Sequence, residues 1–253
     1  MAIIAVRAWY LEEYEPIREV LKRPHDLRLS KNSLLKSGLR ADFLDEKESV
    51  EQAQWFQRYL EGETVEFYVE GSGGYYIANI DLISQEIYFI KQDINAWLDP
   101  IIYFSYQKEY GLAYEALQEA LEEVINDFNR RARIPLSIEY SARPKDDPLR
   151  LSNRQLRQIQ KSLVFIADGT ALAQIPGDEK AMLLPSPTVS LELGYALQCK
   201  RREEILLTQM ERWEGRYPFD LPHPQQLLFE GERDLKQTLP QVLEMLLQRY
   251  NLL

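Results

Sequence analysis

Two acidic residues stand out by where the sequence places them. The run Ser162-Leu-Val-Phe-Ile-Ala-Asp-Gly-Thr170 reads as a buried strand that delivers Asp168 at its end. Pro185-Ser-Pro-Thr-Val-Ser-Leu-Glu-Leu-Gly-Tyr-Ala-Leu197 reads as a loop and a Pro-initiated helix carrying Glu192. When a base leaves C1′ of ribose, positive charge develops on the sugar, much as in glycoside hydrolysis. An ionised carboxylate in contact stabilises that charge or captures it covalently. A leaving group that is already cationic departs neutral and needs no general acid, so Glu192 alone would serve, with Asp168 free to hold ribose hydroxyls. Plainer roles compete: most glutamates on helices are solvated, and an aspartate after a strand commonly caps a turn.

The elements that must carry these residues lie in the second half of the chain. From about Trp97 onward, short apolar runs alternate with helical patterns, as in a parallel α/β sheet. Ile101–Tyr106, Pro135–Tyr140, Leu163–Ala167, Ile205–Leu207 and Leu227–Phe229 are the five expected strands. Tyr114, Leu117, Leu121, Val124, Ile125 and Phe128 recur at helical spacing. Ser152 and Gln155 have the spacing of a capping box for the next helix. The closing helix buries Leu235, Leu239, Val242, Leu243, Leu246, Leu247 and Tyr250, with Pro240 as a kink or a start, because proline lacks the donor an interior turn needs.

In open parallel sheets, ligands bind beyond the carboxyl ends of the strands. That rule selects Ser105, Tyr106 and Gln107, then Ser141 to Arg143, Asp168 to Thr170, and Gln209. Ser186 would cap the third helix of this half, with Pro187 at its first position. A buried stripe of Val189, Leu193, Ala196 and Leu197 puts Glu192 on the flank, from which it leans into the cleft. Gly194 inside that helix suggests close packing on the sheet.

These residues carry a family resemblance. Phe104-Ser-Tyr106 resembles the opening box of TIR domains. Ile166-Ala-Asp-Gly-Thr170, Leu184-Pro-Ser-Pro-Thr-Val189, Leu191-Glu-Leu-Gly-Tyr-Ala196 and Tyr217-Pro-Phe-Asp-Leu221 resemble TIR-like, predicted nucleotide-binding proteins related to nucleoside 2-deoxyribosyltransferases. The match spans about residues 97–253. Ser186-Pro-Thr188 stands where such proteins often have Asn-Pro-Asn, and Gln209-Met210 where an Asn often ends the fourth strand. The resemblance implies an α/β, flavodoxin-like five-stranded parallel sheet and cleavage or transfer at an N-glycosidic bond, with NAD or a related nucleotide as substrate rather than cofactor. It implies Glu192 as catalytic carboxylate, with Ser105, Tyr106, Asp168, Ser186 and Thr188 as substrate-binding residues, and self-association through the TIR-like domain. A non-catalytic nucleotide-sensing or protein-interaction module is one alternative. The other is deoxyribosyl transfer with Glu192 as covalent nucleophile.

Bulk composition limits what else the chain does. Its 253 residues, 45% hydrophobic, suffice for one large or two small domains. A net charge of −10 argues against a chain-wide nucleic-acid or anionic-membrane surface. The single Cys199 excludes an internal disulfide framework, and His25 and His223, far apart, do not resemble a zinc site, so no metal is expected. Ile3–Val6 reads as a first strand and not a signal peptide. With no apolar run near the ~20 residues a membrane helix needs, a cytoplasmic location is expected.

Residues 1–95 lack the strand–helix alternation and suggest a small α+β, mainly antiparallel domain that senses a signal or meets a partner, leaving 96–253 as the TIR-like domain. Val65–Val69 and Tyr76–Ile80 flank Glu70-Gly-Ser-Gly-Gly74, which reads as a hairpin turn and not a phosphate loop because no Lys-Ser/Thr follows. Ile87–Ile90 completes a meander, and Ala53, Phe56 and Leu60 fit one helix. Lys22 to Arg40 is locally basic, either a solvated loop and helix face paired with acids such as Asp42 and Glu46, or a partner or polyanion site. Trp9, Tyr10, Tyr14, Trp55 and Tyr59 fit the core of this domain rather than a stacking platform.

Overall fold

Apolar side chains at every second position build the N-terminal part of the chain. The computed structural model describes residues 5–31, 39–92, 95–143, 151–177, 180–218 and 225–253. The chain splits into two compact units, Met1–Trp97 and Leu98–Leu253. Among the described residues no helix is long and apolar enough to cross a membrane.

In the first unit, β1 (Ala5–Leu11), β2 (Leu27–Lys31), β3 (Leu39–Leu44), β4 (Glu66–Val69), β5 (Gly73–Asp81) and β6 (Glu86–Lys91) form an antiparallel sheet. Its order is β1-β2-β3-β6-β5-β4, and β4 returns to β1, closing a barrel. Leu27 and Leu29, Phe67 and Val69, Tyr75 and Ile77, and Ile87 and Phe89 share one buried cluster, as the period of two along a strand requires. Short helices α1 (Ile17–Val20), α2 (Lys47–Glu51) and α3 (Gln54–Leu60) accompany them. Val50, Trp55 and Phe56 join that cluster, whereas Trp9 and Tyr68 pack with Val20 and Ala96 in another. The expected three-stranded meander is thus half of a closed barrel, and Gly71 and Gly73, with φ of +66° and +108°, make the β4–β5 turn.

The basic segment from Lys22 to Arg40 departs from the loop and helix face expected of it. It contains β2 and the start of β3. Leu27 and Leu29 face inward while Arg28 points out, so charges at alternate positions concealed a half-buried strand. Lys22 pairs with Glu19, Arg23 with Glu15, Arg28 with Asp45, and Arg40 with the buried Asp42. Lys36, Ile3, His223 and the end of the Tyr217–Leu221 motif lie outside the described residues.

The second unit is a parallel sheet of β7 (Asp99–Ser105), β8 (Ser137–Tyr140), β9 (Ser162–Asp168), β12 (Ile205–Met210) and β13 (Gln226–Phe229), in the order β13-β12-β9-β7-β8. Every residue of the central β9 is buried, the reason its sequence is continuously apolar rather than alternating. Helices α4 (Gly111–Asn129) and α7 (Glu232–Gln248) pack on each other and on β9. Helices α5 (Asn153–Lys161) and α6 (Pro187–Cys199) pack together, and Ile159, Val189, Leu193 and Ala196 share a cluster with Tyr103, Phe165 and Leu207. Between β9 and α6 the chain forms β10 (Ala173–Ile175) and β11 (Met182–Leu184), an antiparallel pair where only a loop was expected. Three-residue strands leave too few positions for a periodic signal.

Strand order reverses between β7 and β9, so the crevice at their carboxyl ends lies where loops diverge to opposite sides. Details of α6 differ from expectation. Glu192, not Leu197, completes its buried face, and Leu197 is 39% exposed. A Cβ on Gly194 would meet nothing within 4 Å, so close packing does not explain that glycine. Pro240 lies inside α7 rather than at its start.

The capping box ahead of α5 is complete: the Gln155 amide N–H donates to Ser152 Oγ (3.2 Å) and the Ser152 N–H to Gln155 Oε1 (3.0 Å). Replacing Ser152 by alanine is expected to lower the unfolding free energy by about 1 kcal/mol. Urea denaturation checks this, and an unchanged midpoint contradicts it.

Candidate functional site

Glu192 reaches the carboxyl edge of the sheet because it sits on the α6 face that packs inward, and there it is fully enclosed. Ser105 Oγ, at the end of β7, donates to Glu192 Oε2 at 2.5 Å. Ser141 Oγ, just past β8, donates to Oε1. The Arg143 guanidinium completes the set with a bidentate contact, Nη1 to Oε1 at 2.8 Å and Nη2 to Oε2 at 3.1 Å. Such planar fork-on-fork pairs are strong, directional and charge-assisted. Three strand-end residues therefore converge on this carboxylate, and the described residues enclose it fully. The nearby Tyr103 phenol is pushed up to about 12, first by burial and then by the charge of Glu192.

Arg143 is the residue that sequence reasoning placed at the edge without a role. A cation directly after a strand, opposite a helix carboxylate, was the available signal. Tyr106 holds it: the Tyr106 carbonyl accepts from Arg143 Nε (2.8 Å) and Nη2 (2.5 Å), and the guanidinium lies 5.0 Å from the Tyr106 ring centroid. Tyr106 itself packs on Tyr114, Phe104 and Tyr140. It is buried and serves the ion pair. Ser186 occupies the cap position of α6, yet its hydroxyl makes no cap bond. It donates to Glu109 Oε1 (3.0 Å) and pairs with Thr188 Oγ1 (2.8 Å), which keeps those two hydroxyls together and away from Glu192's own contacts.

Asp168 forms a second centre at the ends of β9, β7 and β12. Its Oδ1 accepts the Thr170 N–H at 3.1 Å, the turn-capping role an aspartate after a strand commonly takes. Its Oδ2, buried, meets no donor in hydrogen-bond geometry, although the Thr170 and Gln107 donors lie close enough to act on the carboxylate's charge. Gln107 Nε2 donates to the Thr170 carbonyl (2.9 Å), and the Thr170 hydroxyl accepts the Met210 N–H (3.0 Å). Gln107 Oε1 and both amide atoms of Gln209 are buried without partners. Gly169 allows this crowding, because a Cβ there would come within 2.5 Å of Leu207 Cδ1. Burial raises the Asp168 pKa to about 6, with the Thr170 and Gln107 donors opposing the rise. Unpartnered buried polar atoms are rare in folded chains, and each calls for an explanation such as a ligand or a bound water. Among the described residues no three His, Cys, Asp or Glu side chains group as metal ligands do.

Two outcomes test this electrostatic picture. Arg143→Met leaves Glu192 buried without its counter-charge and is expected to destabilise the unit by about 3–5 kcal/mol, most of which Arg143→Met with Glu192→Met regains. Equal loss in single and double variants would contradict it. For Asp168, the folded pKa of about 6 stands above the ordinary 3.8, so the fold favours the protonated form. Its contribution is full below pH about 4 and disappears as pH rises through 6. Asp168→Asn should therefore gain up to about 3 kcal/mol over the wild type between pH 4 and pH 7, read from denaturation midpoints across that range. Parallel profiles for the two proteins would refute the shift.

Comparisons with protein-family models, curated proteins and solved structures find no match to this chain.

Proposed function

We propose that the second unit is a TIR-like, flavodoxin-like nucleotide-binding domain, with its ligand at the carboxyl edge around the β7–β9 crevice. The observation that carries this reading is the set of unpartnered polar groups on Asp168, Gln107 and Gln209 at three neighbouring strand ends. A ribose supplies hydroxyl donors that suit Asp168 Oδ2, and amides suit the polar edges of a base or sugar. In this reading Glu192 is a clamp between α6, β7 and β8, because its charge is already matched by Arg143 and two serines. The domain binds; it does not need to cut. Self-association of the second unit is what the resemblance implies, and a partner or sensing role for the first unit is a separate proposal.

The cleavage reading has one observation in its favour: Glu192 stands at the edge that ligands use, beside the Asp168 centre. It requires Arg143 to leave the carboxylate and a developing positive charge on ribose to take its place, balancing the same two oxygens. Release of nicotinamide from NAD by the purified protein, abolished in Glu192→Gln, would establish it. No release favours the binding module.

Nucleotide binding carries its own pH signature. Ribose donors favour the ionised Asp168, so the ligand lowers the pKa from about 6 and its affinity rises as pH passes from 5 to 7. Calorimetric titration with NAD is expected to show this increase, and Asp168→Asn should weaken binding about tenfold at pH 7 and flatten the pH dependence. Affinity that is equal at pH 5 and pH 7 in the wild type would count against Asp168 as the ribose contact.

A further inference from the structure

A cleft of about 970 Å³ opens beside the Asp168 centre. It runs between the β10–β11 pair and the chain that links β12 to β13, where Arg216 pairs with Met182 and holds the two segments side by side. Gln209 forms part of its lining while 1% exposed, and both of its amide atoms lack partners. Trp213, 39% exposed, and Tyr217 supply aromatic surface. The Tyr217 phenol feels the charge of Asp168, and burial with that charge raises it to about 12. Tyr217 and Gln209 thus bring the cleft up to the strand-end centre.

Among its cations, Arg212 is set apart by its surroundings. Arg212 is held between two rings, 4.0 Å from the Tyr110 centroid and 4.2 Å from that of Trp213, and Nη1 donates to the Ala171 carbonyl at 2.7 Å. Stacking on two rings fixes a guanidinium in place without neutralising it. Arg212, Lys180 and Arg216 have no carboxylate partner among the described residues, although Glu211 and Glu214 also line the cleft. By contrast Arg7, Arg28, Arg40, Arg58 and Arg143 each sit on an acid. In a chain of net charge −10, cations left unpaired around an aromatic-lined cleft suit a ligand that is both flat and anionic.

We propose that this cleft binds the phosphate-bearing, planar portion of a nucleoside monophosphate unit, with Arg212, Lys180 and Arg216 gripping the phosphate, Trp213 stacking the base and Gln209 lying at its polar edge. The proposal rests on the nucleotide-binding reading and adds the phosphate and base subsites to it.

Calorimetric titration of the full chain with AMP, adenosine and inorganic phosphate at low salt tests it. Wild-type protein is expected to bind AMP about tenfold more tightly than adenosine, and inorganic phosphate more weakly than either. The exposed pair Lys180→Gln with Arg216→Gln, which spares the packed Arg212, should cut that AMP advantage to about threefold or less while leaving adenosine affinity unchanged. Trp213→Ala should weaken AMP and adenosine alike, by about tenfold. AMP affinity that survives both sets of substitutions overturns the cleft while leaving nucleotide binding intact. AMP affinity that falls in these variants but not in Asp168→Asn upholds the cleft and removes Asp168 as the ribose contact. Inorganic phosphate binding as tightly as AMP reduces the cleft to a bare anion site and overturns the proposal, and so does a wild type that binds none of the three.

Discussion

The buried pair between Arg143 and Glu192 fixes the carboxyl edge of the second unit. Taking a carboxylate and a guanidinium out of water costs several kcal/mol per ion, and the cost is offset only when geometry and hydrogen bonding are nearly complete. Both conditions hold: the fork is bidentate, and Ser105 and Ser141 supply two more donors. Because these partners come from α6, β7 and the segment after β8, none of the three can shift without exposing an unmatched charge. Tyr106 then follows as a support, its carbonyl and ring both engaged by Arg143.

That saturation divides the labour at the edge. Glu192 is an acid whose field is spent within the protein. Asp168, on the neighbouring strand β9, is an acid with one oxygen committed to its own turn and the other without a donor in hydrogen-bond geometry, in surroundings that hold its pKa near 6. A group balanced between charged and neutral forms near physiological pH responds to whatever donor approaches it. The proposed division is thus between a structural carboxylate and a receptive one, with the aromatic and cationic cleft alongside the second.

Much of this sheet was legible from residue order. The continuous apolar run of β9, the helical spacing in α4 and the Ser152–Gln155 box each specify their element through a strong local signal, and each element is present. Strand-end reasoning also brought Ser105, Ser141, Arg143, Asp168 and Gln209 to one edge. It did not reveal which acid would be satisfied, because that depends on where Arg143 falls in three dimensions, 49 residues from Glu192. Leu197 points outward for a related reason: helical spacing alone fits either flank of α6, and Glu192 occupies the inward one. In the first unit, Arg28 and Ser30 disguised β2, since barrel strands show only every second residue to the core. The β10–β11 pair was too short to announce itself, yet it forms a wall of the cleft.

The ionisation of Asp168 is read directly, residue by residue, by carboxyl carbon NMR of the isotopically labelled protein. A midpoint near 6 in the free protein, moving down when saturating AMP is added, is the expected result. A midpoint at the ordinary aspartate value, or one near 6 that AMP leaves in place, would contradict a receptive carboxylate at this edge.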